Sequence, residues 1–333
     1  MERISLALIG CGKWGKNYVN TISNIPDVNL SYIIDKEELT ILLPHMTSFT
    51  KDLNDILNND SINGVIISTP PETHYNIASK IIEHKKHVLV EKPLTTNSKD
   101  AEKLCRRAEE LGVILMVGHI FKYNNAIKEL NARIERGDIG ELRYIESRRV
   151  GLGPIRQDVS ALWDLATHDI YISNYLIGEM PFSVNCSGIS HNGKVDDIVS
   201  LNMKFPNDIF ASIYVNWEHP IKERELVVGG SKGAILFNDI NPSEKLTVYE
   251  RGIDYQPVTG DFGEFQSSIR DGDILIPKIR LNQPLDTEVR HFIECINGES
   301  KVLTNGYEGL QTIKVLEAAE KSMKYKGLEI ILT

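Results

Sequence analysis

The chain has no apolar run close to the length of a membrane-spanning helix. Such a helix needs about 20 consecutive apolar residues, whereas the hydrophobic residues here, 41% of 333 positions, are spread along the whole chain. A strand-like segment, Ile4–Ile9, begins almost at once and leaves no room for a secretory signal ahead of it. We therefore expect a cytoplasmic protein.

Cysteine is also scarce, and the four cysteines are scattered: Cys11, Cys105, Cys186 and Cys295. No two of them have the spacing of a metal-binding pair, and a cytoplasmic chain has little use for a disulfide framework. We expect reduced, buried thiols and no bound metal.

Basic residues are too few and too dispersed for a nucleic-acid-binding surface. Lys and Arg number 37 against 46 Asp and Glu, which gives a net charge of −9, and no basic run or basic–aromatic stripe is present. Because neutralisation of phosphates by Lys and Arg dominates such binding, the composition disfavours a nucleic-acid role.

The first 120 residues alternate short apolar segments with amphipathic helical ones. Continuous apolar strands separated by helices are typical of a parallel sheet covered on both faces, so we predict an α/β domain over residues 1–120. The strand-like segments are Ile4–Ile9, Leu30–Ile34, Val65–Ile67, Val88–Val90 and Ile114–Val117.

Residues 121–333 show a different pattern, in which longer strand-like segments alternate apolar and polar residues. This pattern predicts an α+β domain with an open, mainly antiparallel sheet, interrupted by a helix near Trp163–Leu176. Two more helices, about Thr287–Ile296 and Tyr307–Lys324, close the chain. These final helices could pack back on the first domain.

Three glycines between the first strand and a following helix fit the pattern G-x-G-x-x-G: Gly10, Gly12 and Gly15, with Lys13 and Trp14 between the last two. Gly10 would permit the tight turn, Gly12 the approach of a pyrophosphate, and Gly15 close packing of helix on strand. The free N–H groups at the helix N-terminus would bind the anion. The alternative is an ordinary glycine-rich turn.

Asp35 lies 20 residues after Gly15, at the end of the second strand-like segment. A carboxylate there can bind both hydroxyls of the adenosine ribose and repel a 2′-phosphate, which favours NAD over NADP. Lys36 leaves NADP open, and a turn or helix-capping role is the alternative for Asp35. Together the two signals predict a Rossmann dinucleotide-binding domain.

Further motifs resemble those of the Gfo/Idh/MocA oxidoreductase family, and they occur in the family's order. They are Ser68-Thr69-Pro70 followed by His74, Glu91-Lys92-Pro93-Leu94, Gly118-His119, Gly137-Asp138-Ile139-Gly140 and Trp163-Asp164-Leu165-Ala166-Thr167-His168-Asp169. The resemblance implies a C-terminal open-faced sheet that forms a homodimer or homotetramer. The segment Gly151–Asp158 is most similar to the branch acting on nucleotide sugars, such as UDP-N-acetylglucosamine 3-dehydrogenases. Lys122, Asn125 and Thr167 depart from that branch.

Alcohol oxidation requires a base beside a group that stabilises a developing alkoxide. Lys92, after a buried strand, suits the second task, and His168 suits the first because imidazole titrates near neutral pH. Asp164 lies four residues before His168, on the same helix face, and Asp169 is a weaker competitor for the acidic role. We expect the Lys92 amine and the His168 imidazole to face the same nicotinamide ring.

The remaining candidates surround these three residues. Ser68, Thr69 and Pro70 resemble the family's contact with the nicotinamide half, while Glu91, His74 and His119 are cofactor-side candidates that could equally cap, pair or pack. On the substrate side, the candidates are Lys122, Arg156 and Trp163, together with the catalytic group itself.

These features predict an NAD-dependent oxidoreductase that transfers a hydride between nicotinamide and a hydroxyl carbon of a sugar, nucleotide sugar or polyol. One alternative is a sugar–sugar oxidoreductase or redox-assisted glycosidase whose NAD(P) never leaves. Another is a non-enzymatic dinucleotide or sugar sensor. The complete set Lys92, Asp164 and His168 argues against the sensor.

Overall fold

A computed structural model describes residues 3–153, 156–191, 193–255 and 267–332. The chain forms two compact units, the first made of residues up to Tyr123 together with Asn282–Glu317. The second contains Asn124–Leu281 and the residues from Ala318 onwards. The division into domains at residue 120 stays a prediction.

The first unit contains a six-stranded sheet in which every neighbouring pair is parallel. Its strands are β1 (Ile4–Ile9), β2 (Val28–Ile34), β3 (Ser48–Thr50), β4 (Gly64–Ile67), β5 (His87–Val90) and β6 (Leu115–Val117). The order β3-β2-β1-β4-β5-β6 is that of a doubly wound dinucleotide-binding fold. The predicted Rossmann domain is confirmed.

The strands of the second unit are β7 (Leu142–Val150), β8 (Ser183–Ile189), β9 (Ile198–Lys204), β10 (Phe210–Asn216), β11 (Glu223–Gly230), β12 (Ala234–Asn238), β13 (Leu246–Tyr249), β14 (Gly252–Tyr255), β15 (Ser267–Arg270), β16 (Ile274–Leu275) and β17 (Ile330–Ile331). All but the separate pair β14 and β15 form one sheet, in the order β16-β13-β12-β11-β7-β10-β9-β8-β17. Neighbouring strands of this sheet are antiparallel except for β7 and β10, so the expectation of a mainly antiparallel sheet is confirmed.

The α-helices are α1 (Gly15–Ser23), α2 (Asn54–Leu57), α3 (Pro71–Glu83), α4 (Ser98–Glu110), α5 (Asn125–Glu135), α6 (Thr167–Ile177), α7 (Pro284–Ile296) and α8 (Gly306–Lys324). Short 3₁₀ turns occupy Ile120–Tyr123 and Pro206–Asp208, and a π-helical turn, Leu162–Ala166, precedes α6. In the part of the chain that the structure describes, no helix has both the length and the hydrophobicity needed to cross a bilayer.

Burial explains why the parallel strands are apolar throughout. All four residues of β4 are buried, and Leu6, Leu8 and Leu89 belong to a core shared with helices α1 and α7. Tyr18 of α1 and Phe292 of α7 are fully buried in this cluster. All four cysteines are free thiols, and their expected burial is confirmed.

The large sheet of the second unit buries one face and leaves the other accessible. On β7 and β10 the buried side includes Ile145, Ala211 and Ile213, in the alternation typical of a sheet covered on one side. Tyr144 and Phe210, directly paired across the two strands, are each 41% exposed on the other side.

A buried ion pair joins β7 to α6. Asp169 accepts hydrogen bonds from Arg149 at both oxygens, 2.8 Å from Nε and 2.9 Å from Nη2, and both side chains are almost completely buried. Such a pair is costly to break because one charge would remain buried without its partner.

Asp169→Ala should therefore lower the free energy of unfolding of the second unit by about 3–5 kcal/mol. The matched control is Asp271→Ala, which removes an exposed partner of Arg251 and should leave the urea midpoint nearly unchanged. Equal midpoints for the two variants would show that the buried pair does not stabilise the fold.

Candidate dinucleotide and catalytic site

The glycine turn between β1 and α1 has two glycines that the fold itself requires. Gly10 has φ +89°, and a Cβ there would lie 2.8 Å from Thr69 Cγ2. A Cβ on Gly15 would lie 2.2 Å from the Gly10 carbonyl oxygen. A Cβ on Gly12, in contrast, would meet nothing within 4 Å. Gly12 therefore faces open space, where a pyrophosphate can approach the backbone.

The segment after β4 packs directly against this turn. Ser68 Oγ donates a hydrogen bond of 2.6 Å to the Gly10 carbonyl, and Thr69 is joined to Thr73 through their hydroxyls at 2.7 Å. Pro70 is the residue before α3. The structure thus brings Ser68, Thr69 and Pro70 to the edge of the sheet that carries the glycine turn.

Asp35 directly follows β2, and its carboxylate is held beside the turn. Oδ2 accepts a hydrogen bond of 2.7 Å from the Cys11 backbone N–H, and Oδ1 accepts a hydrogen bond of 3.1 Å from the Glu37 backbone N–H. Asp35 therefore accepts hydrogen bonds from the turn and also lies at the position expected for binding the ribose. Lys36 is exposed.

Glu91 connects helix α1 to the backbone of Lys92. Its Oε1 accepts hydrogen bonds from Trp14 Nε1 and, at 2.8 Å, from the Tyr18 hydroxyl, while Oε2 accepts from the Lys92 backbone N–H at 3.1 Å. A Cβ on Gly118 would lie 3.2 Å from the Glu91 carboxyl carbon, so the glycine makes room for it. Burial raises the pKa of Glu91, although hydrogen bonds and the Lys92 charge oppose this.

Two residues near Glu91 were not singled out from the sequence. Tyr18 contacts Glu91 directly, and Glu288 of α7 is buried with Oε2 3.4 Å from the Tyr18 hydroxyl. A signal was available, because Glu288 is a carboxylic acid on the apolar helix face that carries Leu285, Val289 and Phe292.

Lys92, His119 and Lys122 come together at the carboxyl ends of β5 and β6. His119 is 2% exposed, and burial, followed by the charges of Lys92 and Lys122, lowers its pKa to about 3. At neutral pH the imidazole is therefore uncharged beside two ammonium groups. Lys92 itself is partly buried.

His74 is fully buried and bridges two segments of the site. Nδ1 lies 2.9 Å from the Pro93 carbonyl oxygen and Nε2 lies 2.8 Å from that of Thr69. Burial lowers the pKa of His74, while the hydrogen bonds to the two carbonyls act in the opposite direction. The imidazole thus holds the Thr69 segment to the segment containing Lys92.

In the second unit, Asp164 lies in the π-helical turn and His168 in the first turn of α6; both are partly buried. A continuous α-helix was expected here, but its first turn is π-helical, a feature frequent at functional sites. Trp163 is 9% exposed, and its Nε1 donates to Glu320 at 2.6 Å.

Arg156 lies near Asp164 in the same unit. Its Nε is 3.0 Å from Asp158 Oδ1, and its Nη1 is 3.4 Å from Asp164 Oδ1. Asp169, the competing carboxylate, is instead held in the buried pair with Arg149. Of the Gly151–Asp158 segment, Pro154 and Ile155 lie outside the described residues.

A cluster of His191, Asp197 and Glu218 places three potential ligand atoms within 4.8 Å of one another. Asp197 accepts hydrogen bonds from the His191 backbone N–H at 2.8 Å and from Nδ1 at 2.9 Å. These bonds account for the arrangement within the loop, and no metal is assigned to it.

The sheet order, the open approach to Gly12 and the carboxylate after β2 define a dinucleotide-binding oxidoreductase domain. Residues 4–119 match the family model described as "Oxidoreductase family, NAD-binding Rossmann fold", and residues 127–236 match the GFO/IDH/MocA C-terminal domain. Together the two matches cover more than half of the chain. The chain belongs to the Gfo/Idh/MocA oxidoreductase family, and residues 4–119 form its NAD-binding Rossmann domain.

Several characterised proteins are similar to it over much of their length. The NAD(+)-dependent scyllo-inositol 2-dehydrogenase of Bacillus subtilis is 24% identical, over 91% of this chain and 90% of that protein. The 2,7-anhydro-N-acetylneuraminate hydratase of Mediterraneibacter gnavus is 24% identical, over 71% and 67%. The structure of UDP-N-acetylglucosamine 3-dehydrogenase GnnA from Acidithiobacillus ferrooxidans, 21% identical, has the same fold, with a TM-score of 0.79 over 97% and 100%.

Gly12→Ala should fold normally but weaken NADH binding by roughly 10-fold or more, because the new methyl group occupies the space open to the pyrophosphate. Gly15→Ala is the contrasting variant and should destabilise the first unit, since its methyl group meets the Gly10 carbonyl. Thermal melting and NADH fluorescence titration separate the two effects. Unchanged NADH affinity in folded Gly12→Ala would remove the turn from the cofactor site.

Asp35→Ala should relax the preference for NAD over NADP by roughly 10-fold, because the charge that repels a 2′-phosphate is lost. Asp35→Asn should relax the preference in the same way, and it separates charge from turn geometry because its amide oxygen can still accept from the Cys11 N–H. The two dissociation constants are measured for each variant. An unchanged NAD/NADP ratio in both would exclude Asp35 from the adenosine site.

Proposed function

We propose that this protein transfers a hydride between NAD and a hydroxyl carbon of a sugar, nucleotide sugar or polyol. The observation that carries the proposal is the placement of Lys92 beside uncharged His119, at the sheet edge that also bears the glycine turn. Ligands of open α/β sheets bind at this edge.

We assign three catalytic roles. Lys92 donates a hydrogen bond to the reacting oxygen and stabilises its alkoxide character. His168 takes the hydroxyl proton during oxidation, and Asp164 orients the substrate or the ring of His168. Bound nicotinamide supplies the hydride acceptor. Ser68, Thr69, Pro70 and Glu91 shape the nicotinamide side, with His74 supporting them from behind.

The substrate class follows from what the similar proteins are named for and from the charges of the candidate residues. One relative acts on an inositol, and one structural neighbour acts on a UDP-sugar. Lys122 and Arg156 are cations suited to a phosphate or carboxylate, and Arg156 would exchange its contact with Asp158 or Asp164 to bind one. Trp163, which is 9% exposed, remains a substrate-side candidate. We place this chain near the nucleotide-sugar branch, in the cytoplasm, and as a homodimer or homotetramer through the face bearing Tyr144 and Phe210.

A second candidate function keeps the cofactor bound throughout the turnover. A relative named as a hydratase catalyses addition or removal of water, which requires no net redox change. An NAD-binding member of the same family could run such a reaction through transient oxidation of its substrate.

A panel of UDP-sugars, dTDP-sugars and inositols, followed at the NADH absorbance, tests these functions. Net NADH formation supports the dehydrogenase. Product formation without a change in NADH supports the tightly held cofactor, and absence of any product from the whole panel contradicts the proposed substrate class.

Lys92→Ala should lower turnover by about two orders of magnitude or more and leave NAD affinity largely intact, because the amine acts on the reacting oxygen. Lys99→Ala, an exposed lysine at the start of α4, is the control and should retain wild-type turnover. Wild-type turnover in Lys92→Ala would overturn the catalytic assignment.

A further inference from the structure

A row of buried polar groups extends inward from Glu91 to helix α7. Tyr18 and Glu288 are both 0% exposed. The Tyr18 hydroxyl lies 2.8 Å from Glu91 Oε1 and 3.4 Å from Glu288 Oε2. Among the described residues, Glu288 Oε1 has no hydrogen-bond partner. Two carboxyl groups therefore share one phenol in the interior of the first unit.

Hydrogen-bond directions restrict where the protons lie. The phenol has one proton, and the shorter contact shows that it is donated to Glu91. With that proton given to Glu91, the phenol oxygen is left to accept, so a hydrogen bond between Tyr18 and Glu288 requires Glu288 to be the donor, and an ionised carboxylate has no proton to donate. Burial and the nearby charge of Glu91 raise the pKa of Glu288 well above its usual value, in agreement with a protonated carboxyl group.

We propose that Tyr18 and Glu288 are positioning residues: a protonated Glu288 donates to Tyr18, which donates to Glu91 and fixes it between Trp14 and the Lys92 backbone. The first part concerns protons and packing alone. The second part, the effect on Lys92, rests on the proposed function.

These hydrogen bonds prevent the Glu91 carboxylate from rotating. Glu91 Oε1 is held by Trp14, which belongs to the glycine turn, and Oε2 is held by the Lys92 backbone. A phenol held in place by Glu288 keeps the third hydrogen bond aligned. The Glu91 side chain thereby fixes the position of the glycine turn relative to the proposed catalytic lysine.

Three variants distinguish the effect of the Glu288 proton from the effect of side-chain size. Glu288→Gln keeps a donor for Tyr18 without an ionisable group, Glu288→Leu removes the donor at similar size, and Tyr18→Phe removes the phenol. We expect Glu288→Gln to retain kcat within about 3-fold. Glu288→Leu and Tyr18→Phe should lose roughly 10-fold or more in kcat with a smaller change in KM for NAD.

Stability against pH tests the protonation itself and needs no substrate. The groups facing Glu288 are Glu91, Tyr18 and Tyr123. Because its folded pKa is raised, the stability linked to Glu288 is fully present below the unfolded pKa and is lost as pH rises towards the folded one. Relative to Glu288→Gln, the folded-to-unfolded ratio of the wild type should fall about 10-fold per pH unit across that window. Because the charge of Glu91 raises the pKa of Glu288, the two carboxyl groups titrate as a coupled pair, and the difference between the wild type and Glu288→Gln reports on that pair.

The outcomes distinguish this inference from the proposed function. Two results would show that Glu288 is not a protonated donor to Tyr18. One is a difference in stability between the wild type and Glu288→Gln that does not change with pH, and the other is a loss of kcat in Glu288→Gln as large as that in Glu288→Leu. Wild-type kcat in Tyr18→Phe and Glu288→Leu overturns the positioning role. If the wild type oxidises no compound of the panel but its stability depends on pH as expected, the proposed function fails and the hydrogen bond from protonated Glu288 to Tyr18 stands.

Discussion

The close contact between the glycine turn and the end of β4 is the constraint on which the first unit depends. Helix α1 begins with its first residue against the Gly10 carbonyl, where no Cβ fits. The same turn leaves open space at Gly12 and brings Ser68 onto Gly10. Dinucleotide binding and close packing are therefore consequences of the same missing side chains.

The parallel strands then gather the chemistry. Because their carboxyl ends share one edge, residues distant in sequence, from Gly10 to His119, lie along it. Burial disfavours the charged form of both His119 and Glu91, so it lowers the pKa of the first and raises the pKa of the second. Low solvent access makes each of these groups sensitive to its immediate neighbours.

The second unit uses its buried charges differently. Arg149 and Asp169 neutralise each other between sheet and helix, which removes Asp169 from the competition with Asp164 for an acidic role. One residue along the chain, His168 stays partly accessible. Two adjacent residues of α6 thus have different tasks: Asp169 stabilises the packing, and His168 is available for the proposed chemistry.

The sequence alone determined the alternation of strands and helices, the glycine turn, Asp35 and the family motifs, because each is a local pattern with a local physical cause. It did not indicate β8, whose Ser-Val-Asn-Cys-Ser-Gly-Ile segment has weak alternation, or the π-helical turn before α6. Only the tertiary structure decided that Tyr18 lies against Glu91 on one side and Glu288 on the other. The positions of Tyr18 and Glu288 are 270 residues apart, so hydrogen bonds and pKa values among them depend on distances and burial that no local pattern encodes.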